Sequence, residues 1–124
     1  MPKKRPILIV DDEMEIREIL RKVLEPTYEI HEAASGKEAL RRVQNEEFDV
    51  VTLDLSMPEI SGIDVLKEIK RIKPGVEVVI VSGYGTLSKA KEAINYGAAG
   101  FISKPFNVAD ILSAIAKSYE KPGG

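Results

Sequence analysis

Short apolar runs alternate with helical patterns from one end of this chain to the other, and that alternation leaves it very few folds. Residues 6–10, a weaker 27–33, 49–53, 76–81 and 99–103 read as strands, each rich in apolar or β-branched residues and bounded by turn residues or acids. Between them lie helical spacings. Ile16, Ile19, Leu20, Val23 and Leu24 form one stripe, within 13–25 and stopped by Pro26. Ala39, Leu40 and Val43 form a second, opened by the capping-box spacing Ser35-Gly-Lys-Glu38. Ile63, Leu66, Ile69 and Ile72 mark a third, ended by Pro74-Gly75. Leu87, Ala90 and Ile94 mark a fourth over 86–96, with Gly97 where a left-handed C-cap is wanted. The last starts at Asn107 as N-cap and turns Val108, Ile111, Leu112, Ile115 and Tyr119 inward. Such β-α pairs in series require a parallel sheet with helices on both faces, because right-handed crossovers put them there.

In a sheet of that kind the C-terminal strand ends share one edge, and ligands bind there. Four runs reach that edge on a polar residue. Residues 6–10 lead into Asp11-Asp12, 50–53 into Asp54, 76–81 into Ser82, and 100–103 into Lys104. Asp12 with Glu15 also fits a helix capping box, so the acidic pair alone is ambiguous. Asp54 changes the balance. An acid closing a buried strand is desolvated, and three carboxylates at neighbouring ends repel one another unless a cation intervenes. Mg²⁺, with Mn²⁺ as a substitute, is the natural remedy, held by one or two carboxylates plus waters and phosphate oxygens. Asp54 is then the candidate nucleophile for an acyl phosphate, Lys104 a fixed positive charge for phosphoryl oxygens, and Ser82 a hydroxyl donor.

Composition narrows the alternatives. The chain has 124 residues, enough for one core, and no Cys, which excludes disulfides, thiol catalysis and Cys-ligated zinc. No apolar stretch approaches the roughly 20 residues of a membrane span, and no secretion signal opens the chain, so a cytoplasmic location is expected. A net charge of −2 with mixed signs argues against nucleic-acid binding, and Lys3-Lys4-Arg5 reads as a solubilising flank. His31, the single imidazole, reads as an exposed strand residue, since no ligand-type residue flanks it at useful spacing. Gly62 suggests a backbone conformation other residues resist, and Lys104-Pro105 permits a cis peptide.

Taken in order, Asp11-Asp12, Asp54-Leu-Ser-Met-Pro58 with Gly62, Ser82-Gly83, and Phe101 with Lys104-Pro105-Phe106 make the chain resemble a response-regulator receiver domain over residues 1–120, leaving 121–124 as a tail or linker stub. The resemblance implies a flavodoxin-like (βα)5 α/β sandwich with parallel strand order 2-1-3-4-5. It implies that Asp54 takes a phosphoryl group from a phosphohistidine of a sensor histidine kinase or phosphotransfer protein. Asp12, Asp54 and the Ser56 backbone carbonyl would hold Mg²⁺ with help from Asp11. Lys104 would bind the phosphoryl group, Ser82 would be the switch hydroxyl and Phe101 the aromatic switch. Such a domain is a switch that catalyses only its own phosphoryl uptake and slow loss, and Ser56 and Tyr84 sit where relatives tune that loss. The output face implied is helix 86–96, strand 99–103 and helix 107–119, meeting a downstream protein or attached domain, with phosphorylation-dependent dimerisation compatible. Rival readings fare worse. An aspartyl-phosphate phosphatase wants an acid at Ser56, and a flavin module wants no acids after the first strand. A degenerate receiver acting as a constitutive interaction module would not need the full set of acids, hydroxyl and lysine.

Overall fold

The computed structural model describes residues 4–83 and 87–120. The strands β1 (Pro6–Val10), β2 (Glu29–Ala33), β3 (Val50–Leu53), β4 (Glu77–Ser82) and β5 (Gly100–Ser103) form one parallel sheet in the order β2-β1-β3-β4-β5. Each is followed by a helix: α1 (Met14–Leu24), α2 (Gly36–Asn45), α3 (Gly62–Ile72), α4 (Leu87–Asn95) and α5 (Val108–Ser118). This is the doubly wound flavodoxin-like sandwich expected from the sequence. No helix among the described residues is long and apolar enough to cross a membrane.

Strand alternation sorts the core into two layers. Ile7, Ile9, Val50, Val79 and Val81 face α1 and α5, meeting Leu20, Leu24, Ile111 and Ile115. Leu8, Val10, Val51, Leu53, Val78 and Ile80 face the other way, against Ala39 and Val43 of α2, Leu66 and Ile69 of α3, and Ala93 of α4. Fully burying one such Leu or Ile contributes roughly 1.5–3 kcal/mol, so both faces are needed to offset the chain's ordering cost.

Local signals behave as expected at three ends. Ser35 Oγ accepts from the Glu38 amide at 3.1 Å, and Asn107 Oδ1 accepts from the Asp110 amide at 2.8 Å. Gly97 closes α4 with φ of 102°, a left-handed value that a side chain resists. The α1 start differs: Glu13 is the N-cap and makes no side-chain cap bond, so the Asp12–Glu15 box does not form. Three helices are less buried than their stripes imply, and on α1 the exposed stripe residue is Ile19. Leu87 and Ile94 on α4, and Val108 and Leu112 on α5, are exposed, because these two helices flank β5 at the sheet edge and no further element among the described residues covers them. His31 is half-buried rather than exposed, with Nε2 at 2.6 Å from Glu29 and Nδ1 at 3.0 Å from Arg42 Nη2.

Candidate functional site

Strand register places the polar residues. The Asp54 amide donates to the Val10 carbonyl at 3.1 Å, and the Lys104 amide donates to the Ser82 carbonyl at 3.0 Å. The Asp11 amide reaches back to Ala33 of β2 at 3.2 Å. Main-chain bonds therefore continue the ladders one step past the strands, and the side chains expected from sequence converge at that edge. The Lys104–Pro105 peptide is cis.

Asp54 is 2% exposed and lies at the centre. Its Oδ1 accepts from the Ser82 hydroxyl at 2.8 Å, the Ser56 amide at 3.0 Å and the Ser56 hydroxyl at 3.2 Å. The Lys104 ammonium stands 3.2 Å from Asp54 Oδ2 and 2.8 Å from Asp11 Oδ2. Charge-assisted bonds of this kind are among the stronger polar contacts in a protein. Asp11, Asp12 and Asp54 each present an oxygen, all within 4.8 Å of one another. An oxygen-only set of that size suits a hard divalent cation. Asp11 and Asp54 are buried while Asp12 is exposed, so an ion would be approached from the Asp12 side.

The electrostatics show why a cation is wanted. Burial pushes the Asp11 carboxyl above its usual range, and the Asp54 charge adds to this, although Lys104 and the Glu13 amide pull the other way. Burial works to lower the Lys104 ammonium, but the bonds and charges of Asp11 and Asp54 outweigh it and hold its pKa raised. One ammonium thus stands against three acids, and the cluster carries excess negative charge in a partly desolvated place.

Gly62, the first residue of α3, has its own reason. A Cβ there would lie 2.3 Å from Leu55 Cα and 2.9 Å from the Asp54 carbonyl oxygen. The requirement is space beside the Asp54–Leu55 backbone rather than the unusual conformation expected; the left-handed residue in this loop is Glu59, with φ of 75°. Phe101 is half-buried and packs on the core beneath α4. Tyr84 lies outside the described residues. Sequence reasoning missed Arg17, whose guanidinium donates to the Asp11 carbonyl at 2.7 Å. A single Arg on an amphipathic helix gives no signal by itself.

Comparison with known proteins points to one family. Residues 7–116 match the response regulator receiver domain family. The chain is 38% identical over 113 residues to the chemotaxis protein CheY of Thermotoga maritima, covering 90% of this chain and 94% of that protein. A CheY-like receiver domain protein from Methanospirillum hungatei superposes with a TM-score of 0.91 at 32% identity, covering 95% of both chains. A response regulator protein from Burkholderia pseudomallei, crystallised with a phosphorylated aspartic acid, a calcium ion and citrate, superposes with a TM-score of 0.85 at 28% identity, covering 94% of this chain and 69% of that one.

Proposed function

The chain belongs to the response regulator receiver domains, and on that premise we propose that Asp54 is its phosphoacceptor, served by a sensor histidine kinase or phosphotransfer protein. One observation carries the assignment: Ser82, Ser56 and Lys104 all donate to a single buried carboxylate, with two more carboxylates within 4.8 Å. A carboxylate oxygen of Asp54 forms the new O–P bond while the P–N bond of the phosphohistidine breaks, and the imidazole keeps the electron pair. Phosphoryl transfer needs mainly positioning and charge neutralisation. Lys104 and Ser82 would supply part of that, Ser82 by moving its hydroxyl to meet the phosphate, and their contacts with Asp54 support the reading. Asp11, Asp12, Asp54 and the Ser56 carbonyl would hold Mg²⁺, which when bound neutralises charge on the transferring group.

The product adds charge and acceptor oxygens beside Ser82 and Lys104. Lys104 directly follows β5, which also carries Phe101, so a pull on the lysine is a pull on the ring. A population shift of β5 and α4 between two packings is the switch. The exposed apolar residues Leu87, Ile94, Val108 and Leu112 flank that strand and support an output face there for a partner protein. Incubation with acetyl phosphate and Mg²⁺, read by intact mass, tests the assignment. We expect a gain of one phosphoryl group that is absent in Asp54→Ala. No gain from acetyl phosphate or from a kinase would leave the constitutive interaction module as the better reading.

A further inference from the structure

Asp12 is the least anchored acid of the cluster. It is exposed, and among the described residues its carboxylate makes no hydrogen bond or ion pair, so its aim is set by the backbone on either side. The Arg17 side chain grips the Asp11 side, its Nη1 donating to the Asp11 carbonyl at 2.7 Å. The Arg17 main-chain N–H donates to the Glu13 carbonyl at 3.2 Å, the ordinary first-turn helix bond that any residue there would make. The Glu13 amide in turn closes on Asp11 Oδ1 at 2.9 Å.

The guanidinium is itself held in place. Its side chain is 15% exposed, and Nε donates to Glu32 Oε1 at 3.1 Å. The other Glu32 oxygen takes Arg21 Nη1 at 3.1 Å, and the Glu32 carbonyl takes Arg42 Nη1 at 2.9 Å. Glu32 is thus fixed from α1 and α2, and it fixes Arg17. A planar fork that spans a carboxylate and a carbonyl is a task for Arg rather than Lys.

We propose that Arg17, braced by Glu32, is a positioning residue that sets the divalent-cation affinity of the Asp11–Asp12–Asp54 cluster. The inference rests on the metal reading given above. A positioning role and a purely electrostatic role have opposite signs. Deleting a positive charge near a cation site relieves repulsion and tightens binding. Deleting the group that aims a ligand loosens it, and outer-shell partners of metal ligands typically contribute about 10–100-fold in affinity.

The test is calorimetric titration of Mg²⁺ alone into the wild type, Arg17→Met and Arg17→Lys, with amide chemical shifts of the metal-free proteins. Met keeps the apolar stem; Lys keeps the charge but has one donor nitrogen in place of the fork. The expected result is a Kd about 10-fold weaker in Arg17→Met, with Arg17→Lys between it and the wild type. The Asp12 and Glu13 amide signals should move in Arg17→Met before any metal is added. Equal or tighter binding by Arg17→Met, with or without a loss of stability, overturns the proposal and leaves the metal reading standing. No Mg²⁺ uptake by the wild type overturns both. Should Arg17→Met fail to fold by circular dichroism, Arg17→Lys decides alone, and a Kd equal to the wild type's overturns the proposal.

Discussion

Replacing Thr52 with Val should stabilise this domain, and the size of the gain can be worked out. Thr52 is 1% exposed on β3, between Ile9 of β1 and Val79 of β4, and its Oγ1 has no hydrogen-bond partner. A buried hydroxyl left unpaired costs about 1–3 kcal/mol, and the methyl that replaces it adds roughly 0.8 kcal/mol of apolar burial. Denatured chains already bury part of such surface, which trims the sum to about 2 kcal/mol. A domain of 124 residues unfolds with an entropy of about 0.26 kcal/mol/K, so Tm should rise by about 8 °C. Thermal unfolding by circular dichroism, checked by urea midpoints with an unchanged slope, measures this. Phosphoryl uptake should persist, because Thr52 donates nothing to Asp54. A Tm that stays put or falls would show that the Thr52 hydroxyl is satisfied in the folded protein and carries no burial cost.

Gly62→Ala should act in the opposite direction, because its Cβ would meet the backbone of Asp54 and Leu55, which cannot swing aside as a side chain can. Overpacking of this kind costs about 1–3 kcal/mol, and phosphoryl uptake should slow in step as the Asp54 peptide shifts; urea unfolding and intact-mass kinetics read the two effects. Tyr119 gives a pH dependence. Burial raises its phenol from 10.0 to about 12, with the Asp49 charge adding to this. A raised folded-state value means that this contribution to stability is complete below pH 10 and is lost as pH climbs towards 12. Urea midpoints should therefore fall across that window, and the fall should be shallower in Tyr119→Phe.

Much of this architecture is legible in the sequence because the signals are local. Ser35, Asn107 and Gly97 each act within a few residues of their own position, and each does what its type and place imply. The candidate site residues are legible for a different reason: parallel strands share one edge, so a residue at or just after a strand end is placed without knowing any distance. The misses are matters of context. Helical spacing shows that Leu87, Ile94, Val108 and Leu112 share apolar stripes, but not that the sheet ends beside them. Gly62 looks like a conformational glycine until the approach of Leu55 is seen. Arg17 and Glu32 are ordinary surface residue types, and only the pairing of β2 beside β1 brings them to the Asp11 corner.

The order of the site residues along the chain has a consequence for biosynthesis. All three acids lie at or before residue 54, whereas the ammonium that offsets them is at 104. As a nascent chain emerges, the carboxylates are therefore made long before their counter-charge, and β5 must dock before the edge is neutralised. A chain cut between α3 and β4 would divide the machinery unequally, acids on one piece and hydroxyl plus lysine on the other. Neither piece alone holds both the acids and the donors that the proposed phosphoryl transfer uses, so the candidate site comes into being only with the completed sheet.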